Sequence, residues 1–494
     1  MRRRVCNIAQ IRELEQSSFR QIQSRQVMQR AGEAVAAACG ACTSVLAVAG
    51  PGNNGGDALV AAAALVKRGV KTKVWMPLGE PAANTDAAAA LADLGSSAGS
   101  IERGDCLPAD CCDCDVIIDG LFGIGLSRPL DAQAVRVVEL INAHPAAVVA
   151  VDVPSGLHCE RGTAQLAVRA DRTVTFYASK PGLHMRSGAD FAGQVIVETL
   201  GFADLVADAG GELIEGAGAC SALKRDADSH KGSFGAVAAI GGSTGMLGAL
   251  LLACRAALAH GAGRVYALPI DPVINCDPQA PEIIWPPHPA GICATGDLPE
   301  ATTVLLAGCG MGTAINPEKL LALAERADLR AVYDADALNL LARLSDRQRL
   351  AGLLAAQQAI LTPHPAEAAR LLGCTTSKIQ QDRIGSACQL AAAFDCVIVL
   401  KGSGTVVADT QGKWGIVAAG NPALATAGSG DVLAGIIAAL RAQGLSDWDA
   451  AGCGAWLHAA AADAALAEQG GWQGVGLARI CRLSAQMLAA AAAG

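Results

Sequence analysis

Short apolar runs alternate with stretches of helical character in both halves of this chain, and this alternation restricts the fold more than any other feature. In the first half the runs predict strands at 44–50, 70–77, 116–119, 147–153, 173–178 and 194–200. The stretches between them predict helices at 9–39, 58–69, 83–94 and 131–143. Strands that alternate with helices indicate a parallel sheet with helices on both faces. We therefore expect a Rossmann-like α/β domain with three layers.

The same alternation restarts at Gly235, after a weakly patterned segment (204–228) that is rich in Ala, Gly and Asp and is predicted to be a linker. Strands are predicted at 235–241, 264–268, 303–307, 331–334 and 397–400, and helices at 246–260, 429–442 and 449–468. A chain of 494 residues is too long for a single hydrophobic core. We expect two domains, residues 1–210 and 211–494, of which the second is again a three-layer α/β fold.

Charge and composition exclude several classes of partner. The net charge of −8 argues against a nucleic-acid-binding surface, and an aromatic content of 3% leaves few side chains for base stacking. The arginines Arg2, Arg3 and Arg4 are not followed by the apolar core of a signal peptide, and no apolar run is long enough for a membrane span. We expect no nucleic-acid or membrane partner and a cytoplasmic location.

The 18 cysteines fit the same setting, because without an export signal they are expected to be reduced thiols. Cys106, Cys111, Cys112 and Cys114 form one cluster. A zinc site needs a second pair of ligands at suitable spacing, and no such pair is evident in the sequence. We interpret the cluster as a loop that tolerates cysteine, with its role left open.

A Gly-rich loop, AGPGNNGGD (49–57), follows the first predicted strand and leads into a helix. Glycines permit close backbone approach, and the backbone N–H groups of such a turn bind phosphate without basic side chains. The spacing is not GxGxxG, so an ordinary dinucleotide fingerprint fits poorly. A structural turn without a ligand remains the alternative.

Two more strand ends are predicted to meet this loop. Asp119 ends one strand before the segment 120–129, and Asp152 ends another just before Ser155. Ligands of open parallel sheets bind at the carboxyl ends of strands. Oxygen donors from Asn54, Asp119 and Ser155 can hold an alkali or alkaline-earth cation there. The alternative is that Asp119 and Asp152 only cap the turns that follow them.

The second half has a glycine loop of another design, ATAGSGD (425–431), at the start of a predicted helix. Its backbone N–H groups can stabilise a transferring phosphoryl group, and Asp431 at the mouth is suited to accept the proton of an attacking hydroxyl. A carboxylate at a helix N-terminus is also an ordinary favourable placement. Lys401 and the backbone that follows it, in KGSGT (401–405), can cradle nucleotide phosphates. His364, between Pro363 and Pro365, either contacts substrate or completes a turn.

The first half resembles the N-terminal YjeF family, the NAD(P)H-hydrate epimerases, over about 10–205, in VMQRAG, NNGGD, DGLFGIGL, DVPSG and KPG (180–182). The resemblance implies interconversion of the R and S epimers of hydrated NADH and NADPH (NADHX and NADPHX) at ring carbon C6. It implies that Asn54, Asp119 and Ser155 ligate K⁺ and that Asp152 contacts the reacting nicotinamide as an acid/base group. The other implied dinucleotide contacts are Asn53, Asn54, Gly55, Gly56, Asp57, Gly123, Ile124, Gly125, Leu126, Ser127, Arg128 and Pro129.

The second half resembles the ADP- or ATP-dependent NAD(P)H-hydrate dehydratases of the ribokinase-like superfamily over about 225–490, in TPHPAE, LKGSGT and NPALATAGSGDVLAG. The implied nucleotide contacts are Lys401, Gly402, Ser403, Gly404, Thr405 and Gly430. The implied contacts to the hydrated dinucleotide are Ala249, Gly310, His364 and Asp431. The resemblance favours ADP as phosphoryl donor with Mg²⁺ on its phosphates, and Asp431 as the catalytic base. AMP, phosphate and NAD(P)H are then the products formed from the S epimer.

Two alternatives remain open at this stage. One is a ribokinase-like small-molecule kinase with an accessory Rossmann-like domain, against which TPHPAE together with KGSGT weighs. The other is a first half that senses or binds a ligand without catalysis, against which the presence of both Asn54 and Asp152 weighs. We also expect a homo-oligomer, although Ala-rich helices support ordinary cores equally well.

Overall fold

The computed structural model describes residues 3–95, 101–103, 113–126, 128–207, 209–271, 274–287, 298–313, 315–326, 328–471 and 473–493. The predicted contact Ser127 and three cysteines of the cluster, Cys106, Cys111 and Cys112, lie outside these residues. Cys114 is half-buried and carries a thiol rather than a disulfide. The chain divides into two compact units, Met1–Glu212 and Leu213–Gly494, which we call unit 1 and unit 2.

Unit 1 is built around a parallel sheet. Its strands are β1 (Arg4–Val5), β2 (Ser44–Ala49), β3 (Lys71–Met76), β4 (Ile101–Arg103), β5 (Val116–Gly120), β6 (Ala147–Val151), β7 (Arg172–Phe176) and β8 (Gln194–Glu198). Its helices are α1 (Ile8–Phe19), α2 (Ser24–Ala38), α3 (Asn53–Lys67), α4 (Asp86–Leu94), α5 (Ala132–Ala143), α6 (Gly188–Ala192) and α7 (Ala203–Val206). The parallel strands are ordered β4-β3-β2-β5-β6-β7-β8.

Both faces of this sheet are covered. In β2, Val45 and Ala47 belong to an apolar cluster with residues of α2 and α3, whereas Leu46 and Val48 belong to another cluster with residues of α5. Alternate side chains of a strand point to opposite faces, so helices pack on both. The predicted three-layer α/β fold of the first half is confirmed.

Unit 2 begins inside β9 (Gly211–Ile214), whose first two residues pair antiparallel with β1. Its strands are β10 (Ala236–Gly241), β11 (Arg264–Pro269), β12 (Val304–Ala307), β13 (Arg330–Tyr333), β14 (Ile360–Leu361), β15 (Val397–Leu400), β16 (Val406–Ala408) and β17 (Trp414–Val417). Its helices are α8 (Leu247–Ala259), α9 (Pro317–Ala324), α10 (Ala335–Leu341), α11 (Arg347–Ala356), α12 (Pro365–Leu372), α13 (Thr376–Gln381), α14 (Arg383–Phe394), α15 (Ser429–Ala442), α16 (Asp447–Gln469) and α17 (Leu477–Ala493).

The sheet of unit 2 runs β9-β17-β16-β15-β14-β13-β12-β10-β11, parallel from β15 to β11 and antiparallel between β15 and β16 and between β16 and β17. Val397 and Val399 of β15 share an apolar cluster with residues of α8, α15 and α16. Ile398 and Leu400 are equally buried, and α14 packs on β15. Helices therefore lie on both faces, and the predicted α/β fold of the second half is confirmed.

The structure corrects the prediction of one opening helix at 9–39. The chain turns after Phe19, where the N–H groups of Gln21 and Ile22 both donate to the carbonyl of Ser18 (2.9 and 3.1 Å). The side chain of Ser18 is buried against the hydroxyl of Tyr177 at 2.7 Å, which fixes this turn. Neither Gly nor Pro marks the break, so sequence pattern alone gives no signal for it.

The predicted linker (204–228) is also wrong in part, because it contains the end of α7, all of β9 and a 3₁₀ turn at Gly218–Ala222. These elements are too short to show a period. A further helix, α17, follows the two that were predicted to be last. Among the described residues, no helix is long and apolar enough to cross a membrane.

Candidate active sites

The ends of β5 and β6 bring the first group of predicted residues together in unit 1. Asp119 is fully buried and accepts hydrogen bonds from the backbone N–H of Ser155 (2.8 Å) and from its hydroxyl (2.6 Å). The hydroxyl of Ser155 in turn accepts from the N–H of Phe122 at 2.9 Å. Burial raises the pKa of Asp119 to about 6, against the opposing effect of the Ser155 hydrogen bonds.

Asn54 and Asp152 approach the same loop from different sides. A Cβ atom added to Gly123 would lie 2.8 Å from Oδ1 of Asn54 and 3.5 Å from Oδ2 of Asp152. The Nδ2 atom of Asn54 is buried and has no hydrogen-bond partner among the described residues. A buried amide without a partner is costly unless a ligand satisfies it. A hydrogen-bond acceptor on a ligand would satisfy this donor.

Asp152 pairs with a buried lysine. Nζ of Lys180 donates to Oδ1 of Asp152 (2.5 Å), to the hydroxyl of Thr175 (2.8 Å) and to the carbonyl of Phe176 (2.9 Å). Only 1% of the lysine side chain is exposed. Asp152 itself has a φ of +61°, a conformation that non-glycine residues seldom adopt. The pair and the strained backbone together fix the direction of this carboxylate.

Two more carboxylates share this environment. Burial and the charge of Asp152 raise the pKa of both Glu15 and Asp57. Asp57 was predicted to contact the dinucleotide, but Glu15 on α1 was not identified from the sequence. Lys180 was only part of a motif there. Glu15 and Lys180 both lie outside the Gly-rich loops, so their place beside Asp152 is seen only in the tertiary structure.

The glycines of the first loop are required by packing. A Cβ at Gly55 would lie 1.8 Å from the carbonyl oxygen of Gly50, and a Cβ at Gly50 would lie 2.1 Å from that of Leu121. Asn53, Gly125, Arg128 and Pro129 are exposed at the rim, and Gly56 is buried against Met28. The absence of side chains brings the β2–α3 and β5 loops close together, which shapes the crevice.

In unit 2 the strand ends of β12, β13, β14 and β15 are neighbours, and each carries a polar residue: Cys309, Asp334, Thr362 and Lys401. Asp334 is buried, and its Oδ1 accepts from Nζ of Lys401 (2.5 Å) and from the hydroxyl of Thr362 (2.7 Å). The N-terminus of α15 lies over this group. A Cβ at Gly430 would be 3.2 Å from Nζ of Lys401 and 3.5 Å from Oδ2 of Asp334.

Asp431 occupies the first turn of α15 and is half-buried. Burial and then the charge of Asp334 raise the pKa of Asp431 to about 6, against the effects of the Cys309 thiol and of Lys401. A carboxyl group with a pKa near neutrality is a suitable general base. Gly428 precedes the helix with a φ of +91°. The helix thus begins abruptly, with its first N–H groups and Asp431 at the same opening.

His364 has the structural role that the sequence left open. Its Nδ1 accepts from the N–H groups of Ala366 (3.1 Å) and Glu367 (3.4 Å), which caps α12. Its side chain is still 48% exposed, so it also remains accessible to a ligand. Burial, Lys401 and Arg370 lower its pKa. Burial raises the pKa of Glu367 to about 7, and this carboxylate lies 4.0 Å from Lys401.

The KGSGT loop is anchored from behind by a buried arginine. Nη2 of Arg383 donates to the carbonyls of Leu400 (3.2 Å) and Gly404 (3.2 Å). Gly402 and Ser403 at the tip are exposed, and a φ of +143° at Gly402 requires glycine. Lys401 points inward to Asp334. Burial lowers the pKa of Lys401, but the charges of Asp334 and Glu367 raise it, and the net effect is an increase.

The structure also brings together the two small residues predicted to contact the hydrated dinucleotide. A Cβ at Gly310 would lie 3.1 Å from Cβ of Ala249, in the first turn of α8. Gly310 has a φ of +62°, and its carbonyl accepts from the N–H of Ser243 at 2.7 Å. The loop after β12 and the start of α8 thus form one wall of the opening.

Cys309, Asp334 and Asp431 have ligand atoms that all lie within 4.8 Å of one another. Mg²⁺ prefers oxygen ligands in octahedral geometry, and a thiol is not one of them. Lys401 already neutralises Asp334 in this group. The three side chains therefore do not fit a Mg²⁺ site made by the protein alone.

Comparisons with known proteins agree with this two-unit arrangement. The family model for NAD(P)H-hydrate dehydratase matches residues 237–483. The model for the N-terminus of YjeF-related proteins matches residues 24–182.

Full-length relatives carry both parts. The bifunctional NAD(P)H-hydrate repair enzyme Nnr of Coxiella burnetii is 38% identical over 94% of this chain and 95% of its own length. The enzyme of the same name from Escherichia coli K12 is 35% identical over 90% of this chain and 86% of its own. Among solved structures, the ADP/ATP-dependent NAD(P)H-hydrate dehydratase from Bacillus subtilis, co-crystallised with ATP and Mg²⁺, is 27% identical in sequence. The match covers 55% of this chain and 96% of the Bacillus chain, with a TM-score of 0.47.

Proposed function

The chain belongs to the family of bifunctional NAD(P)H-hydrate repair enzymes, and we propose that its two α/β units divide the two reactions of that repair. It is an NAD(P)HX epimerase and a nucleotide-dependent NAD(P)HX dehydratase. Residues 1–210 form the proposed epimerase domain, and residues 211–494 the proposed dehydratase domain. The cluster of Asp431, Asp334 and Lys401 beside Gly430 is the observation that carries the second assignment.

In the proposed dehydration, Asp431 accepts the proton of the C6 hydroxyl of S-NAD(P)HX while that oxygen attacks the terminal phosphoryl group of ADP. AMP leaves, and the substrate becomes a phosphate ester. The lone pair of the ring nitrogen then expels phosphate from C6, and loss of a C5 proton restores the reduced nicotinamide. The raised pKa of Asp431 and its place at the N-terminus of α15 support its role as the base.

The surroundings of Asp431 divide the remaining tasks. We assign nucleotide contacts to Lys401, Gly430 and the 402–405 loop, whose tip is exposed, and substrate contacts to Ala249, Gly310 and His364. Backbone N–H groups of α15 stabilise the charge of the transferring group. A Mg²⁺ ion bound to the donor phosphates would neutralise their charge. We assign it no side-chain ligand, because Asp334 is paired with Lys401 and both Asp334 and Asp431 lie close to the thiol of Cys309.

In the proposed epimerisation, Asp152 transfers protons at the nicotinamide end of the dinucleotide, and Lys180 holds its carboxylate in place. Asn54, Asp119 and Ser155 are proposed to hold K⁺. Their amide, carboxylate and hydroxyl oxygens are the ligand atoms that such a cation takes. K⁺ would supply positive charge close to the bound dinucleotide.

A coupled assay tests this proposal. Racemic NADHX is offered with ADP or with ATP, each with and without K⁺. We expect NADH and AMP to appear in equal amounts with ADP, and the whole racemate to be consumed. A stable phosphorylated product would instead indicate a small-molecule kinase. Consumption of only half the racemate would remove the epimerase role from unit 1.

We also propose a homo-oligomer in the cytoplasm. The free thiols of the described cysteines are compatible with a reducing compartment, where NADH and NADPH are also used. Light scattering of the purified chain measures its mass directly, and a value near 49.8 kDa would contradict the oligomer.

A further inference from the structure

One cavity in unit 2 shares structural elements with the proposed dehydratase site. Its volume is about 490 Å³, and Thr313, Asn339, Ala342, Arg343 and Arg370 line it. Thr313 follows the Gly310 loop, Asn339 lies on α10, and Arg370 lies on α12. The cavity is therefore bounded by the elements that carry the proposed substrate contacts Gly310 and His364.

Both arginines have donors to spare. Nη1 of Arg343 donates to the carbonyl of Thr313 (2.9 Å), and Nη1 of Arg370 donates to Oδ1 of Asn339 (2.8 Å). These acceptors are neutral. Within the described part of the chain, neither guanidinium forms an ion pair with a carboxylate, whereas Arg255, Arg326 and Arg349 of the same unit do. A guanidinium presents five N–H groups, so each of the two can still bind an anion through a fork of parallel hydrogen bonds.

The walls of this cavity are held by contacts that also order the site. The N–H of Gly312 donates to Oδ2 of Asp336 at 2.8 Å, which ties the Gly310 loop to the first turn of α10. Arg370 follows Glu367 by one turn on α12, whose cap is His364. The proposed donor loop at 402–405 belongs to a different strand end. An anion in the cavity thus lies on the side of the dinucleotide rather than of the donor.

We propose that Arg343 and Arg370 form a subsite that binds a phosphate group of the hydrated dinucleotide. The inference rests on the proposed dehydratase function of unit 2. Paired arginines suit phosphate because planar forks match its oxygens, and lysine is a poorer substitute at such a place. Two sources share this chemistry: the pyrophosphate bridge, which NADHX and NADPHX both contain, and the 2′-phosphate, which only NADPHX contains.

The test is steady-state kinetics of dehydration with Arg343→Gln and Arg370→Gln. We expect each change to raise KM for the dinucleotide about tenfold or more, with KM for ADP unchanged. An increase with NADPHX alone assigns the subsite to the 2′-phosphate, and an equal increase with NADHX assigns it to the pyrophosphate. Arg343→Lys and Arg370→Lys should recover only part of the loss, because they keep charge without the fork.

Arg349→Gln is the matched control, since it removes one positive charge from an exposed arginine already paired with Glu318 and Glu325. It should leave both KM values unchanged. Titration calorimetry with NADP⁺ and NAD⁺ gives a readout independent of turnover, and the glutamine variants should bind at least one of them more weakly. Unchanged KM and unchanged binding in both variants would overturn the subsite, as would an equal rise in KM for ADP. If the wild-type protein shows no dehydratase activity but the glutamine variants still lose binding of NADP⁺ or NAD⁺, the proposed function is contradicted and the subsite is not.

Discussion

Each unit places a lysine, buried in unit 1 and half-buried in unit 2, against an aspartate at the end of a parallel strand. The two pairs differ in which aspartate is held. In unit 1, Lys180 pairs with Asp152, the carboxylate proposed to act on substrate. In unit 2, Lys401 pairs with Asp334, and the proposed base Asp431 stands beside the pair without a cation of its own. Similar parts therefore produce one carboxylate whose direction is fixed by a lysine and one whose pKa is raised by burial and a neighbouring carboxylate.

The difference follows from the chemistry of each pair. A lysine bonded to a carboxylate stabilises the charged form and fixes its direction. Among the described residues, Asp431 has no such partner: burial and then the charge of Asp334 raise its pKa to about 6, against the smaller opposing effects of Cys309 and Lys401. Epimerisation is thus expected to depend on orientation in unit 1, and dehydration on proton uptake in unit 2.

The largest expected effect is on Asp431. Asp431→Asn removes the base and should lower kcat of dehydration by about 10²–10⁴-fold while epimerisation continues at its normal rate. Product analysis with NADHX and ADP, together with chromatography of the two epimers, measures both. If epimerisation disappears as well, the two units do not work independently, and the comparison between them fails.

The next largest effect concerns the Lys180–Asp152 pair, which we expect to contribute to the free energy of unfolding of unit 1. Lys180→Met leaves a buried carboxylate without its partner and should destabilise unit 1 by about 3–5 kcal/mol. Hydrogen exchange of the β6 and β7 amides reports this locally. The double variant Lys180→Met/Asp152→Asn removes the orphaned charge and should regain most of the loss. A double variant as unstable as the single one would show that packing, and not charge, holds this end of unit 1.

The pH dependence of dehydration tests the titrating carboxylate. Since Asp431 must be deprotonated to act and its pKa is raised to about 6, kcat/KM should fall as the pH drops below about 6 and level off above it. Asp334→Asn removes the charge that raises this pKa and leaves Lys401, which lowers it, so the acid limb should move to lower pH.

The control for this experiment is Asp336→Asn, because Asp336 raises the pKa of Asp431 less than Asp334 does. Its acid limb should move in the same direction by a smaller amount. The pH at which kcat/KM falls reports the pKa of Asp431 even in a variant whose maximal rate is lower. A limb that stays in place in Asp334→Asn would disprove the coupling between the two aspartates.

The smallest expected effect concerns K⁺ in unit 1. A cation at Asn54, Asp119 and Ser155 should stabilise the folded protein by about 1.4 kcal/mol when K⁺ is ten times its Kd. Thermal unfolding in KCl against equal NaCl measures this, with hydrogen exchange at β5 showing where it acts. Asn54→Ala should abolish the difference between the salts. An equal response to both salts in the native protein would leave the crevice without a specific cation.

The sequence predicted most of what lies along a strand–loop–helix segment. The strands β2, β5, β12 and β15 were located from their apolar runs, and the Gly-rich loops that follow them were assigned from their motifs. The start of α3 was predicted at 58 and lies at Asn53, because Asn and Gly have low helix propensity and tertiary contacts override it here.

What the sequence missed depends on strand order and on long-range contacts. Asp334 and Glu367 belong to segments that were noted, but their meeting with Lys401 follows from β13, β14 and β15 being adjacent. Arg383 supports the KGSGT loop from the start of α14, where no motif marks it. Glu15 comes from a helix whose break was not predicted. Sequence patterns therefore identify residues that are close along the chain, whereas distant residues that are buried together are found only from the folded structure.

The strand ends that form the dehydratase site carry a consequence for how the chain matures. Cys309, Asp334, Thr362 and Lys401 meet only when β12 to β15 have paired, and Asp431 joins them only when α15 has packed on that sheet. Contacts between such distant segments form late, because closing long loops is entropically costly. During refolding or translation, the time at which nucleotide consumption begins therefore reports when unit 2 has finished folding.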